Sequence, residues 1–225
     1  TGAISAVYFW LAPVALVALV LLSLMLGKYA IAPAHMARAA WAAVTGTPSG
    51  LPPEVETVIW QIRAPRVLAA LLIGAALSAA GATYQGLFKN PLVSPDILGV
   101  TAGASLGAVL GLYFSLPLLA IQALAFAGGL GAVALVYAIG SIVRGHDPVL
   151  ALVLAGLAIG AALGAMVSLI KTLADPYNQL PAITYWLLGS LSAVTPGDVI
   201  SVAPAMLIGC AALFVLRWRM NLLSL

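Results

Sequence analysis

Long apolar runs separated by short polar connections dominate the pattern of this chain. A membrane-spanning helix needs about 20 mostly apolar residues, and six runs approach or reach that length. We predict spans at 6–27, 65–84, 97–115, 118–142, 149–171 and 197–216. These runs lack the alternation of apolar and polar residues that strands of a membrane barrel show. The pattern therefore predicts an all-α polytopic transmembrane bundle.

Two connections are long and have structure of their own. In the first, residues 28–64, Val55, Val58, Ile59 and Ile62 recur at helical spacing and predict a short amphipathic helix on the membrane surface. Pro65 is expected to restart the chain as the second span.

The second long connection, residues 172–196, contains an apolar segment at 185–191 that is too short to span a membrane. It predicts an interfacial or re-entrant helix, with Tyr185 and Trp186 at the level of the lipid headgroups.

Composition supports a membrane protein. Of 225 residues, 64% are hydrophobic and 7% are charged, whereas soluble domains carry about 25% charged residues. The net charge of +3 is dispersed, and we expect no nucleic-acid partner. The single cysteine, Cys210, lies inside an apolar run, so neither a disulfide framework nor a thiolate metal site is expected.

The basic residues do not orient the bundle. If the six spans alternate, four basic residues fall on one side and five on the other, although cytoplasmic loops normally hold a clear excess. The four are Lys89, Arg144, Arg217 and Arg219; the five are Lys28, Arg38, Arg63, Arg66 and Lys171. We infer that Arg63 and Arg66 have a role other than orienting the chain in the membrane.

Glycines recur at every fourth position in two of the predicted spans. The rows are Gly99, Gly103, Gly107 and Gly111 in the third span, and Gly156, Gly160 and Gly164, continued by Ser168, in the fifth. A spacing of four keeps each row on one helix face, where small residues let helices approach closely. Two interpretations stay open: static packing, and a smooth surface that lines a pathway or slides against a neighbour.

Several catalytic interpretations fail. Ser105 stands in a G-x-S-x-G match, but inside an apolar helix rather than at a strand–turn–helix elbow. The Gly27-Lys28 pair lacks the remaining residues of a phosphate-binding loop. His35 and His146 lie outside the spans, and the spans hold almost no ionisable groups, which disfavours coupling to a proton or ion gradient. We predict no catalytic residue, no metal site and no cofactor.

A set of motifs that runs through the whole chain resembles the FecCD/BtuC-type permeases. The motifs are Arg63-Ala64-Pro65-Arg66, Gln85-Gly86, Asn90-Pro91-Leu92, Pro95, Leu98-Gly99, Gly103-Ala104, Leu154-Ala155-Gly156, and Trp186 with Gly189-Ser190-Leu191. These permeases are membrane subunits of type II bacterial ABC importers for iron-siderophores, haem and cobalamin. The resemblance implies ten spans, a cytoplasmic N-terminus and a location in the bacterial inner membrane.

The same resemblance implies partners and site residues. The partners are a second permease copy, two cytoplasmic ATPase subunits and a periplasmic binding protein, within a lipid bilayer. Arg63 and Arg66 would dock the binding protein, Asn90 and Leu92 with Val149 and Leu150 would form a cytoplasmic gate, and Leu222 and Leu225 would couple to the ATPase. The glycine rows at 99, 103 and 107 and at 156, 160 and 164 would serve the pathway or helix packing.

The chain, residues 1–225, is expected to be a single transmembrane permease domain that stops before the cytoplasmic coupling helices. The function predicted is import of an iron chelate, either siderophore or haem, or of cobalamin, by alternating access. The alternatives are another cargo such as molybdate, a membrane scaffold subunit without transport activity, and an intramembrane enzyme.

Overall fold

The computed structural model describes the backbone of residues 2–91, 93–142 and 148–223, and the side chains of 10–91, 93–142 and 149–218. Over these residues the chain forms nine α-helices, a π-helical segment and a 3-10 turn. In order they are α1 (Gly2–Met25), α2 (Pro33–Thr45), α3 (Pro53–Thr57), the π segment (Val58–Arg63), α4 (Ala64–Phe88), the 3-10 turn (Pro95–Leu98), α5 (Val100–Tyr113), α6 (Leu118–Ile142), α7 (Pro148–Leu173), α8 (Gln179–Leu188) and α9 (Pro196–Leu223).

The all-α prediction is confirmed, and four helices are long and apolar enough to span a membrane. They are Pro53–Phe88, Leu118–Ile142, Val149–Leu173 and Pro196–Trp218. Two further apolar helices are shorter within the described side chains, Trp10–Met25 and Val100–Tyr113. At about 1.5 Å per residue, α5 is roughly 21 Å long, less than the roughly 30 Å of a bilayer core. Of the six predicted spans, four therefore correspond to helices that are long and apolar enough to cross a membrane within the described residues.

Pro65 does not restart the chain, contrary to our expectation. The helix runs without a break from Pro53 to Phe88, and its middle widens into the π segment, where the Ala64 amide donates to the Ile59 carbonyl five residues back. A proline inside an α-helix lacks one hydrogen bond and clashes with the preceding turn. The wider π turn just before Pro65 relieves that conflict and leaves the helix continuous.

The chain packs as two compact units, and the first contains residues 1–76 and 191–210. Its core is small: Ile31, Ala39, Val55 and Ile59 are each at most 3% exposed. Val55 and Ile59 face this core and Val58 packs against it, so the predicted helical segment is present, as the first part of the continuous helix rather than as a separate short one. Ile62 departs from the prediction, because its side chain is 37% exposed.

The second unit contains residues 77–190 and 211–225. Val109 on α5, Val167 on α7 and Ile183 on α8 meet in one core cluster. Val136 on α6 packs with Ala155 and Ile159 on α7 in another. These clusters join α5, α6, α7 and α8 into one packed group.

The second long connection does contain a short helix, but it begins earlier than the sequence indicated, and its interfacial or re-entrant placement stays a prediction. It is α8, Gln179–Leu188, rather than 185–191. The Gln179 side-chain amide donates to the Tyr113 carbonyl at 2.7 Å, and its oxygen accepts from the Asp175 amide at 3.0 Å. Gly189, with a positive φ of +71°, follows the last helical residue. These polar contacts at the start, and not apolar periodicity, set the boundary.

Candidate functional site

The arginine pair lies in the first unit, and Arg63 is directed inward. Its side chain is 9% exposed, and it donates to the Leu24 carbonyl at 2.7 Å and also to the Tyr29 carbonyl. Leu24 is in the last turn of α1, where carbonyls have no partner within the helix. The resemblance implied that Arg63 docks a binding protein; the structure places its guanidinium against the chain's own backbone.

Arg66 is half-buried on the first turns of α4. Its guanidinium donates to the Ser192 carbonyl, in the loop between α8 and α9. Its Nε atom is buried without a hydrogen-bond partner. Arg63 and Arg66 therefore hold the start of α4 to two different segments of the first unit.

The polar turn after α4 is held by several hydrogen bonds. The Asn90 amide donates to the Gln85 carbonyl at 3.2 Å, and the Gln85 side chain donates to the Pro91 carbonyl at 3.1 Å. Lys89 takes a left-handed conformation with φ +48°. These hydrogen bonds join the turn to the last turns of α4, and Asn90 is exposed on the turn.

The other predicted gate and coupling residues are only partly described. Val149 and Leu150 lie in the first turn of α7 and are 39% and 51% exposed. Leu92 and Leu225 lie outside the described residues, and Leu222 is placed by its backbone alone, near the end of α9. The gating and coupling roles stay predictions.

The glycine row of α5 packs against α6. A Cβ added at Gly103 would come closer than 3.0 Å to the Gly128 carbonyl, and one at Gly107 equally close to the Leu124 carbonyl. At Gly111 the neighbour is the Ile121 side chain, at 2.9 Å. Along this row the two helices approach backbone to backbone, as small residues permit.

The glycine row of α7 changes character along its length. At Gly156 an added Cβ would overlap the Ile97 carbonyl of the 3-10 turn, closer than 3.0 Å. At Gly160 and Gly164 an added Cβ would meet nothing within 4 Å. The first glycine admits the 3-10 turn against α7, and the other two face open space.

That open space is a cleft within the second unit, with a volume of about 440 Å³. Gly99, with φ +70°, ends the 3-10 turn and begins α5 at one edge of it. Side chains from α5 add two hydroxyl groups, Thr101 and Ser105, and the 3-10 turn adds the carboxylate of Asp96. Its further lining includes Ile97, Ala102, Gly156, Leu157, Gly160, Ala161, Gly164, Val167 and Leu187. The cleft is mostly apolar, and three glycines of α7 contribute no side chain to it.

Among the described residues, no group of three or more His, Cys, Asp or Glu side chains is placed so that it could hold a metal ion. Ser105 lines the cleft, and no histidine is among the lining residues.

Sequence reasoning missed two contributors to this arrangement. Gly128 on α6 meets Gly103, and an added Cβ on either would overlap the carbonyl of the other. Gly27 lies against Arg63. The Gly128-Gly129 pair in α6 was a visible signal, whereas nothing in the sequence near Gly27 pointed to residue 63.

The fold and the cleft together define a polytopic helical membrane protein with a gap between close-packed helices. The chain belongs to the FecCD transport family, which it matches over residues 15–225.

Relatives agree with this assignment. The chain is 34% identical over 210 residues to the molybdate import system permease protein MolB of Haemophilus influenzae, covering 93% of this chain and 61% of that protein. It is 42% identical over 168 residues to a probable iron chelatin transport system permease protein of Helicobacter pylori, covering 75% of this chain and 50% of that protein.

A solved structure of a metal-chelate type ABC transporter, in an inward-facing conformation, has a similar fold. The TM-score is 0.80 at 32% identity, covering 98% of this chain and 65% of that chain. The chain thus spans between 50% and 65% of the length of these three relatives.

Proposed function

We propose that this chain is the membrane-spanning part of a permease subunit in a bacterial ABC importer, and that the importer carries a metal chelate. The observation that carries the proposal is the family match over residues 15–225, joined to the likeness to a metal-chelate type transporter across 98% of the chain. The long apolar helices support a place in the inner membrane with several spans.

The cleft between α5 and α7 is the part of the pathway that this chain supplies. Gly160 and Gly164 contribute no side chains to its α7 wall, and Thr101 and Ser105 offer hydroxyl groups to a polar cargo. A bulky chelate would shield its own metal charge, so the wall needs no ionised ligand. Alternating access would open this surface first to the binding protein and then to the cytoplasm.

The partners are those the family implies: a second copy of the permease, two ATPase subunits and a periplasmic binding protein. We place the docking surface at the start of α4, near Arg63 and Arg66. Asn90 and Leu92, with Val149 and Leu150, would close the inner end of the pathway. Leu222 and Leu225 would lie beside the ATPase contact.

The cargo we favour is an iron chelate, siderophore or haem, or cobalamin. Molybdate is the second candidate, because the molybdate permease matches 93% of this chain. Molybdate is a small dianion, whereas the cleft offers one carboxylate and no cationic side chain among its lining residues. That charge balance favours the larger chelates.

The test is transport by the protein in its natural full length, reconstituted in proteoliposomes with its ATPase and binding protein. Haem, ferric siderophores, cobalamin and molybdate are offered in turn, with and without ATP. The proposal predicts ATP-dependent uptake of at least one chelate. Uptake of molybdate alone would select the second candidate, and assembly without uptake of any cargo would favour a scaffold subunit.

A further inference from the structure

Arg63 is in an unusual environment for an arginine that would bind another protein. Among the described side chains it is the charged residue that is buried. Its recorded partners are the Leu24 and Tyr29 carbonyls, and no carboxylate of the described residues pairs with it. A buried charge is costly unless it is hydrogen-bonded, so these carbonyls determine where the guanidinium lies.

The Leu24 carbonyl is one of the last acceptors of α1, which ends at Met25. The C-terminal end of a helix carries partial negative charge, and a cation placed there satisfies its free carbonyls. Arg63 therefore closes the end of α1 from a position 39 residues later in the chain. The contact fastens α1 and the segment that follows it to the start of α4.

Gly27 has no side chain, which leaves room for the Arg63 guanidinium. A Cβ at position 27 would lie 2.5 Å from an Arg63 Nη atom and 3.2 Å from its Cζ. Any side chain at position 27 would displace the guanidinium or the segment around it. Gly27 and Arg63 thus form a matched pair, far apart in sequence and in contact in the fold.

The helix itself turns Arg63 inward. Val55, Ile59 and Arg63 follow one another at a spacing of four, and all three are buried. An α-helical row at that spacing drifts around the helix, whereas the wider π segment, Val58–Arg63, keeps it more nearly aligned. The same row that fills the core of the first unit therefore ends in the arginine.

We propose that Arg63 is a positioning residue that locks the end of α1 to the start of α4, with Gly27 as its required neighbour. The lock does not rest on the proposed function.

The experiment measures the melting temperature of the full-length protein in nanodiscs, without any partner. Gly27→Ala and Arg63→Gln should each lower the melting temperature by about 5 °C. Arg63→Lys, which retains the charge but not the fork, should fall between Arg63→Gln and wild type. Arg38→Gln removes an equal charge from an exposed site on α2 and should melt as wild type does.

The decisive arm is the double variant Gly27→Ala/Arg63→Gln. Gly27→Ala also strains the backbone, because Gly27 has φ +157°. Since the two changes share the Gly27–Arg63 contact, the double variant should lose clearly less than the sum of the two single losses. Additive losses would overturn the lock, as would a Gly27→Ala protein with wild-type stability. Gly27→Ala and Arg63→Lys are mild enough to test the lock should Arg63→Gln fail to accumulate.

Discussion

The glycine rows of α5 and α7 share one spacing and meet opposite surroundings. On α5, Gly103 and Gly107 lie against the backbone of α6. On α7, Gly160 and Gly164 face a cleft, with nothing near their missing side chains. A glycine row therefore specifies a smooth helix face, and the neighbouring helix decides whether that face is a contact or a wall.

The neighbour of α5 contributes its own glycine to the contact. Gly103 and Gly128 oppose each other across the helix crossing, so each backbone occupies the space that a side chain on the other would need. In a membrane such close approach stabilises helix pairs through van der Waals packing, because lipid supplies no hydrophobic drive between helices. For α5 the static-packing interpretation describes the contact that forms.

The largest effect is expected for Gly107→Leu. The added side chain has to enter space held by the Leu124 carbonyl and the Ala125 amide, both backbone groups that do not move aside. Overpacking of this kind costs about 1–3 kcal/mol or more. We expect little folded protein in the membrane, measured as monodisperse material after extraction. Normal yield and transport would show that α5 and α6 are not held together at this point.

Gly156→Ala should have the next largest effect, because it tests the point where α7 still behaves as a contact. One methyl group would overlap the Ile97 carbonyl of the 3-10 turn. We expect folded protein with a melting temperature lower by several degrees, at a cost of about 1–3 kcal/mol. An unchanged melting temperature would place the 3-10 turn away from α7.

Gly160→Leu separates function from folding. Leucine favours insertion, and an added Cβ at Gly160 meets nothing within 4 Å, so insertion and stability should persist while a leucine in the cleft abolishes transport. The matched control is Gly209→Leu on α9, where an added Cβ also meets nothing within 4 Å and which is not among the residues that line the cleft. Normal transport by Gly160→Leu would remove the pathway role, and failure to assemble would favour packing.

The smallest effect is expected at the end of the α5 row, for Gly111→Ala. Here the nearest atom is on the Ile121 side chain, at 2.9 Å, with the Ile121 Cα at 3.1 Å. A side chain can yield where a carbonyl cannot, so the loss should stay within about 1 kcal/mol. A loss as large as that of Gly156→Ala would mean that the helix ends are as rigid as the crossing.

The sequence predicted the parts of the fold that depend on apolar length. The fourth predicted span, 118–142, coincides with α6, and each of the others overlaps a helix whose ends differ from the predicted ones. The third began with an error, because residues 97 and 98 belong to a 3-10 turn that Gly99 separates from α5. Apolar content continues through that turn, so hydropathy has no means to detect it.

The site was less predictable, because it depends on contacts between distant residues. The spacing of the α7 row was visible, but only the position of the 3-10 turn separates Gly156 from Gly160. The sequence held one local indication that Arg63 is buried, because it follows Val55 and Ile59 at a spacing of four. The charge of Arg63 made that indication easy to miss. Its partners, Leu24 and Tyr29, lie in a segment that shows no corresponding pattern.

The most direct test of the difference between the two rows is one methyl group placed in each. Gly107→Ala and Gly160→Ala make the same chemical change, and alanine improves intrinsic helix propensity equally at both sites. In the full-length protein in nanodiscs, Gly107→Ala should lower the melting temperature by several degrees, and Gly160→Ala should leave it unchanged or slightly raised. Equal shifts in the two variants would contradict the account.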